Sequence, residues 1–225
     1  MLSISHLNIG YKFPIVTDIN FTLEPGKIVL IYGCNGSGKT TLLKTIVGLI
    51  PIIEGEIMLH QQSLNSLSML ERSRIISYCL THQTAQNLTL YELLDFTWSA
   101  INSKPKLNFE SILTPLNLSS FLNTPICQLS DGQRQKAMIA RAIAQDTPFL
   151  FLDEPTAFLD FKNKIELTHY LIHLSHQEQK TIIINTHDAD WLDHSPDHVF
   201  GIHHNKFIPF PKTVKWNDIV KEVYQ

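Results

Sequence analysis

The chain has 225 residues, of which 44% are hydrophobic and 17% charged, a balance that suits one large globular domain with a full core. Its net charge of −3 gives no basic footprint for nucleic acid. Three cysteines, Cys34, Cys79 and Cys127, are scattered and odd in number, which argues against a disulfide frame or a zinc site and fits reduced thiols in a cytosolic protein.

From Leu2 to about Leu23 the apolar residues Leu2, Ile4, Leu7, Ile9, Ile19, Phe21 and Leu23 alternate roughly as half-buried strands do. Glu24-Pro25-Gly26-Lys27 is a turn, and Lys27-Ile28-Val29-Leu30-Ile31-Tyr32 reads as a buried strand. Beyond Thr40, apolar residues at Leu42, Leu43, Ile46, Val47 and Leu49-Ile50 predict a helix that Pro51 stops. Glu54 to Leu59 predicts a strand, Ser63 to Arg74 a helix, and Ile75 to Leu80 a strand.

From about Gln83 to Ser130 the pattern turns helical, with Leu88, Leu90, Leu93, Leu94, Phe96 and Trp98, then a polar break at Asn102-Ser103-Lys104-Pro105-Lys106, then more helix through Leu118 and Phe121. This predicts a helical insert in an α/β frame. Gln133 to Ala144 predicts a helix, Thr147 to Leu152 a buried strand, Lys162 to His176 a helix, and Thr181 to Asn185 a further strand. Alternating strands and helices imply a mostly parallel sheet with ligands at the carboxyl ends of its strands.

No stretch approaches the roughly 18 consecutive apolar residues of a membrane span, so none is expected. Met1 to His6 lacks the basic and apolar regions of a signal peptide. The eleven histidines show no H-E-x-x-H pattern, and His203-His204 is expected in a loop or at a strand end.

Gly33-Cys34-Asn35-Gly36-Ser37-Gly38-Lys39-Thr40 fits G-x-x-x-x-G-K-[ST], the Walker A phosphate loop. Glycines without a Cβ let backbone N–H groups close on phosphate oxygens, and the following helix adds its positive N-terminus. Gly33, Asn35, Gly36, Ser37, Gly38, Lys39, Thr40 and Thr41 are therefore the candidate ATP contacts. Lys39 is placed to reach the β- and γ-phosphates and the Thr40 hydroxyl to ligate Mg²⁺. Phe149-Leu150-Phe151-Leu152-Asp153-Glu154 is an apolar run ending on acids, the Walker B pattern. Asp153 is the candidate Mg²⁺ holder and Glu154 the base that polarises the attacking water.

Leu129-Ser130-Asp131-Gly132-Gln133, upstream of these acids, resembles the L-S-G-G-Q signature of ABC-type ATPases. With that resemblance the other marks fall in the family's order over nearly the whole chain. Tyr11 resembles the aromatic that stacks on adenine. Gln83 resembles the Q-loop glutamine that contacts Mg²⁺ and faces the membrane subunit, with Gln86 as a rival. Phe158-Leu159-Asp160 resembles the D-loop, which serves dimer communication through Asp160, and His187 resembles the switch histidine at the γ-phosphate.

The resemblance implies a P-loop NTPase fold. It has a RecA-like core of mostly parallel sheet at about 1–82 and 134–225, an N-terminal antiparallel β part, and a helical subdomain at about 83–133, all within one nucleotide-binding domain. It implies ATP hydrolysis with Mg²⁺ in a head-to-tail homodimer. Ser130, Gly132 and Gln133 then reach the other chain's ATP in trans. Asp131 departs from the usual glycine. Ser130-Asp131-Gly132-Gln133 also fits a capping box, in which the acid suits the helix dipole and is expected to point outward.

Glu154 to Asp160 and Gln133-Arg134-Gln135-Lys136 look most like the ATPase subunits of importers for iron-siderophore complexes, haem or cobalamin. That implies integral-membrane permease subunits reached through the region of Gln83 and Tyr91 to Trp98. It also implies a periplasmic substrate-binding protein, and a place on the cytoplasmic face of the bacterial inner membrane. Asp95-Phe96-Thr97-Trp98 stands where such importers carry a Gly-Arg pair, which leaves the permease contact and the substrate open. An exporter ATPase is the alternative, since direction is decided by the permease. A soluble ABC ATPase is another, although the chain lacks the second nucleotide domain, coiled coil or basic arms usual in that class. A nucleotide kinase needs neither the signature nor the switch histidine.

Overall fold

Apolar runs that do not alternate need cover on both faces of a sheet. In the computed structural model, which describes residues 1–80, 87–100, 108–194 and 196–225, the runs at Ile28, Phe149 and Thr181 become strands with every residue buried. The chain opens with β1 (Leu2–Gly10), β2 (Pro14–Leu23), β3 (Ile28–Gly33) and α1 (Lys39–Ile46). It continues with β4 (Glu54–Leu59), β5 (Gln62–Ser63), α2 (Met69–Ile75) and β6 (Ile76–Cys79). Two helices of the insert follow, α3 (Leu90–Ala100) and α4 (Phe109–Leu113). Then come α5 (Asp131–Ala144), β7 (Phe149–Asp153), α6 (Phe161–His176), β8 (Thr181–Thr186), β9 (His198–His203), β10 (Lys206–Phe210) and α7 (Trp216–Ile219).

Among the described residues the strands form one ten-stranded sheet in the order β5-β4-β1-β2-β10-β9-β3-β8-β7-β6. The run β9-β3-β8-β7-β6 is parallel, while β1, β2 and β4 pair antiparallel. β3 lies between β8 and β9, with Leu30 opposite Ile184 and Val199. Its side chains divide between two cores. Ile28, Leu30 and Tyr32 join the residues of α5, α6 and the insert, while Val29 and Ile31 join those of α1 and the antiparallel strands. Phe151 of β7 is fully buried in the second core. Phe151→Ala is expected to cost about 3–5 kcal/mol through lost transfer energy and the cavity left behind. A urea midpoint lowered with unchanged slope is the measurement that checks it.

The structure departs from the sequence reading in three places. The predicted helix from Ser63 begins only at Met69, because Ser68 takes the N-cap: its hydroxyl accepts from the N–H of Glu71, whose carboxylate accepts from Ser68 N–H in return. Residues 62 and 63 instead pair with Leu59 and Met58 across a turn in which His60 and Gln61 both take positive φ, 46° and 68°. α1 stops at Ile46 rather than running to Pro51, since Gly48 turns left-handed at φ 78° and Leu49 N–H closes back on Lys44 O at 2.8 Å. After Leu113 the expected helix gives way to short 3₁₀ turns at Ser119–Phe121 and Ile126–Gln128.

The insert is fastened to the core by side chains that the helical spacing alone does not reveal. Trp98 stacks on Phe109 with ring centroids 4.1 Å apart, and its indole N–H donates to Ala144 O at 2.7 Å. The β9–β10 hairpin and α7 complete the far side. His203 ends β9, while His204 and Asn205 form the turn at φ 44° and 63°. Among the described residues no helix is long and apolar enough to cross a membrane.

Candidate functional site

The phosphate loop lies where a doubly covered parallel sheet places ligands, at the carboxyl end of β3 and the start of α1. Gly38 is the N-cap of α1 at φ 111°, a conformation that L side chains rarely adopt. Gly33 has no room either, since a Cβ there would collide with the Ser37 hydroxyl. These two positions bend the chain so that the first N–H groups of α1 face a cavity of about 380 Å³. Cys34, Asn35, Gly36, Gly38, Lys39, Thr40, Thr41, Asp153 and Glu154 all line that cavity.

Lys39 is buried, and its ammonium donates to Gly33 O at 2.5 Å and Cys34 O at 3.3 Å. Burial pushes its pKa down, while Glu154, Asp153 and Cys34 favour the charged form. Thr40 Oγ1 donates to Asp153 Oδ2 at 2.8 Å, and Asn185 Nδ2 donates to Asp153 Oδ1 at 3.0 Å. A hydroxyl beside a carboxylate is an oxygen donor set that fits a hard divalent cation such as Mg²⁺. Glu154 takes φ 50°, an uncommon value for a non-glycine residue, and its N–H donates to Asn185 O at 2.9 Å. Its carboxylate meets His187 Nδ1 at 2.9 Å. The ends of β3, β7 and β8 thus bring Lys39, Thr40, Asp153, Glu154 and His187 together.

The signature residues lie elsewhere on the chain. Ser130 caps α5 in a reciprocal pair with Gln133, and Asp131 turns its carboxylate to Arg134 at 3.2 Å, with its side chain 71% exposed. A Cβ on Gly132 would stand 2.8 Å from Phe158 O, so only glycine lets the helix start approach the segment after Glu154 this closely. Ser130, Asp131, Gly132, Gln133, Phe158 and Asp160 line a second cavity of about 680 Å³. Asp160 caps α6 through Asn163 N–H, and Lys136 Nζ donates to Asn163 Oδ1 at 2.7 Å. The two cavities share no lining residue.

Tyr11 stands in the turn between β1 and β2 and is 67% exposed. The same strand pair brings Val16 and Ile15 to 3.0 and 3.2 Å from a Cβ on Gly38, so this turn is on the loop's side of the molecule. Gln83 and Gln86 lie outside the described residues. Asn185, fully buried and bonded to Asp153, belongs to none of the motifs in the sequence. The available signal was a polar residue inside an apolar strand.

Residues 16–157 match the ABC transporter family. The chain belongs to that family. An ABC transporter ATP-binding protein of Methanocaldococcus jannaschii is 33% identical over the whole chain and 81% of its own length. The petrobactin import ATP-binding protein FpuD of Bacillus anthracis and the iron(3+)-hydroxamate import ATP-binding protein FhuC of Bacillus subtilis are each 29% identical over the whole chain. These cover 86% and 87% of the two relatives. A metal-chelate type ABC transporter solved facing inward has a TM-score of 0.77 at 26% identity, over 94% of this chain and 83% of that one. An ATP-binding subunit of an ABC transporter has a TM-score of 0.84 over 99% of this chain and 92% of that one, at 24% identity, and shows the same fold. The protein is thus an ABC ATP-binding subunit of P-loop NTPase fold, and an ATPase.

Proposed function

We propose that this subunit energises import of an iron-siderophore, haem or cobalamin-type substrate, working as an ATP-dependent homodimer beneath two integral-membrane permease subunits. The observation that carries the dimer is the separation of the two cavities within one chain: phosphate-loop and signature residues line different surfaces. A second copy placed head to tail joins them. Dimeric arrangement is also described for a bacterial ABC transporter cassette with a TM-score of 0.79 at 25% identity. Import is supported by the names of the petrobactin and iron(3+)-hydroxamate relatives.

In this reading the chain is one nucleotide-binding domain over 1–225, with residues 83–133 as its helical part. Gly33, Asn35, Gly36, Ser37, Gly38, Lys39, Thr40 and Thr41 hold the phosphates of ATP, and Tyr11 stacks on adenine. Thr40, Asp153 and Gln83 would hold Mg²⁺, which when bound would offset the charge on the phosphate oxygens. Glu154 accepts the proton of the attacking water, and His187, on its carboxylate, faces the γ-phosphate. Ser130, Gly132 and Gln133 offer a helix N-terminus to the partner's ATP, and Asp160 carries the state of one site to the other.

Asp131 also lines the signature cavity, and its pairing with Arg134 offsets its charge beside that helix start. Tyr91, at 44% exposure, and Phe96, at 68%, leave apolar side chains open on α3 for the permease. The chain then works at the cytoplasmic face of the bacterial inner membrane, with a periplasmic substrate-binding protein on the other side.

Purification of the tagged protein from native membranes in mild detergent tests this reading. A polytopic permease and a periplasmic binding protein are the expected companions. An exporter-type permease alone would reverse the direction, and ribosomes or DNA without a membrane partner would replace transport by a soluble role.

A further inference from the structure

We propose that Tyr32 is a positioning residue for His187, acting through a hydrogen bond from its hydroxyl to the carbonyl of Asp188. The inference rests on the reading of His187 as the residue that faces the γ-phosphate. Tyr32 is fully buried, on β3 directly ahead of Gly33. A phenol in such a core needs a partner for its O–H, and the partner is Asp188 O at 3.1 Å. Phenylalanine would fill the same volume, so packing alone does not call for the hydroxyl.

The ring is held in place. Trp216 meets it edge-on with centroids 5.6 Å apart and an interplanar angle of 63°, and Trp216 in turn contacts Tyr224 at 5.7 Å. Asp188 is held on its other sides as well. Its N–H donates to Thr186 Oγ1 at 3.0 Å. Its Oδ2 accepts from Lys164 Nζ at 2.6 Å and from Thr156 Oγ1 at 3.4 Å. Burial alone would raise the Asp188 pKa, but these bonds and the Lys164 charge hold it below the usual carboxylate value.

His187 therefore sits between a buried strand end, Thr186, and a residue tied at its backbone and side chain. The β3–β8 ladder pairs Tyr32 with Thr186 at the backbone, and the Tyr32 hydroxyl adds a side-chain tie from β3 directly to the residue after His187. Loss of that hydroxyl frees the Asp188 carbonyl and lets His187 drift from Glu154, without touching a phosphate contact.

The test compares Tyr32→Phe, His187→Ala and the double variant in steady-state ATP hydrolysis and melting. Tyr32→Phe is expected to lower kcat about five- to tenfold, the effect of one lost hydrogen bond on the reacting geometry, with KM for ATP unchanged. The double variant is expected to be no slower than His187→Ala. The His187 imidazole resonances of Tyr32→Phe are expected to move, a readout that stands even where the melting midpoint falls. Wild-type turnover with unmoved resonances would overturn the proposal. So would a raised KM at constant kcat, which places the effect on the phosphate loop, or independent losses that multiply in the double variant. Wild-type turnover in His187→Ala would instead remove the reading of His187 on which the inference stands.

Discussion

Glu154→Gln is expected to bind ATP normally and to lower kcat by at least about a hundredfold, the usual contribution of a positioned general base. The carboxylate sits at the end of β7, one residue beyond the strand, with its backbone at φ 50° and its N–H held by Asn185 O. That posture aims the side chain into the phosphate-loop cavity and against His187 Nδ1 at 2.9 Å. Glutamine keeps the volume and the backbone ties and removes the charge, so the water loses its proton acceptor while the phosphate contacts persist. A dimer held by ATP then has no way to reopen. Gel filtration with ATP and Mg²⁺ is expected to show a stable dimer for the variant and a transient one for the natural chain. A variant that hydrolyses at the natural rate would remove Glu154 from the role of base.

The core of this site was legible because its elements are local. The phosphate loop needs a strand, glycines at fixed offsets and a helix start, and all lie within one short stretch. Ser130 and Gln133 announce the start of α5 by their spacing, and the capping box forms as the spacing predicts. Less legible were contacts made across the fold. Asn185 bonds Asp153 from 32 residues away, and Tyr32 reaches Asp188 across 156. Neither pairing leaves a periodic trace. The β4–β5 hairpin escaped notice because its turn uses His60 and Gln61 at positive φ rather than the Asn-Gly or Gly that such turns favour. The β9–β10 hairpin likewise turns through His204 and Asn205.

Lys39→Ala is expected to weaken ATP binding by about a hundredfold or more, the range for removing one partner of a desolvated charge pair. Two opposing terms make this result informative. Burial pushes the Lys39 pKa down, which means that the fold works against its charge, while Asp153 and Glu154 nearby favour it. Its ammonium donates to the carbonyls of Gly33 and Cys34, which a loop of this kind can satisfy in other ways. Removing the amine therefore relieves a desolvation cost as it removes two hydrogen bonds, and the nucleotide-free melting midpoint is expected to change little. The loss should fall on the ligand. ATP raises the midpoint of the natural chain through selective binding to the folded state, and that rise is expected to vanish in Lys39→Ala. Calorimetric titration with ATP, paired with melting curves with and without nucleotide, separates the two terms. An unchanged affinity would overturn the placement of ATP phosphates on this loop, whereas a lowered midpoint without nucleotide would mean that the ammonium serves the fold before it serves the ligand.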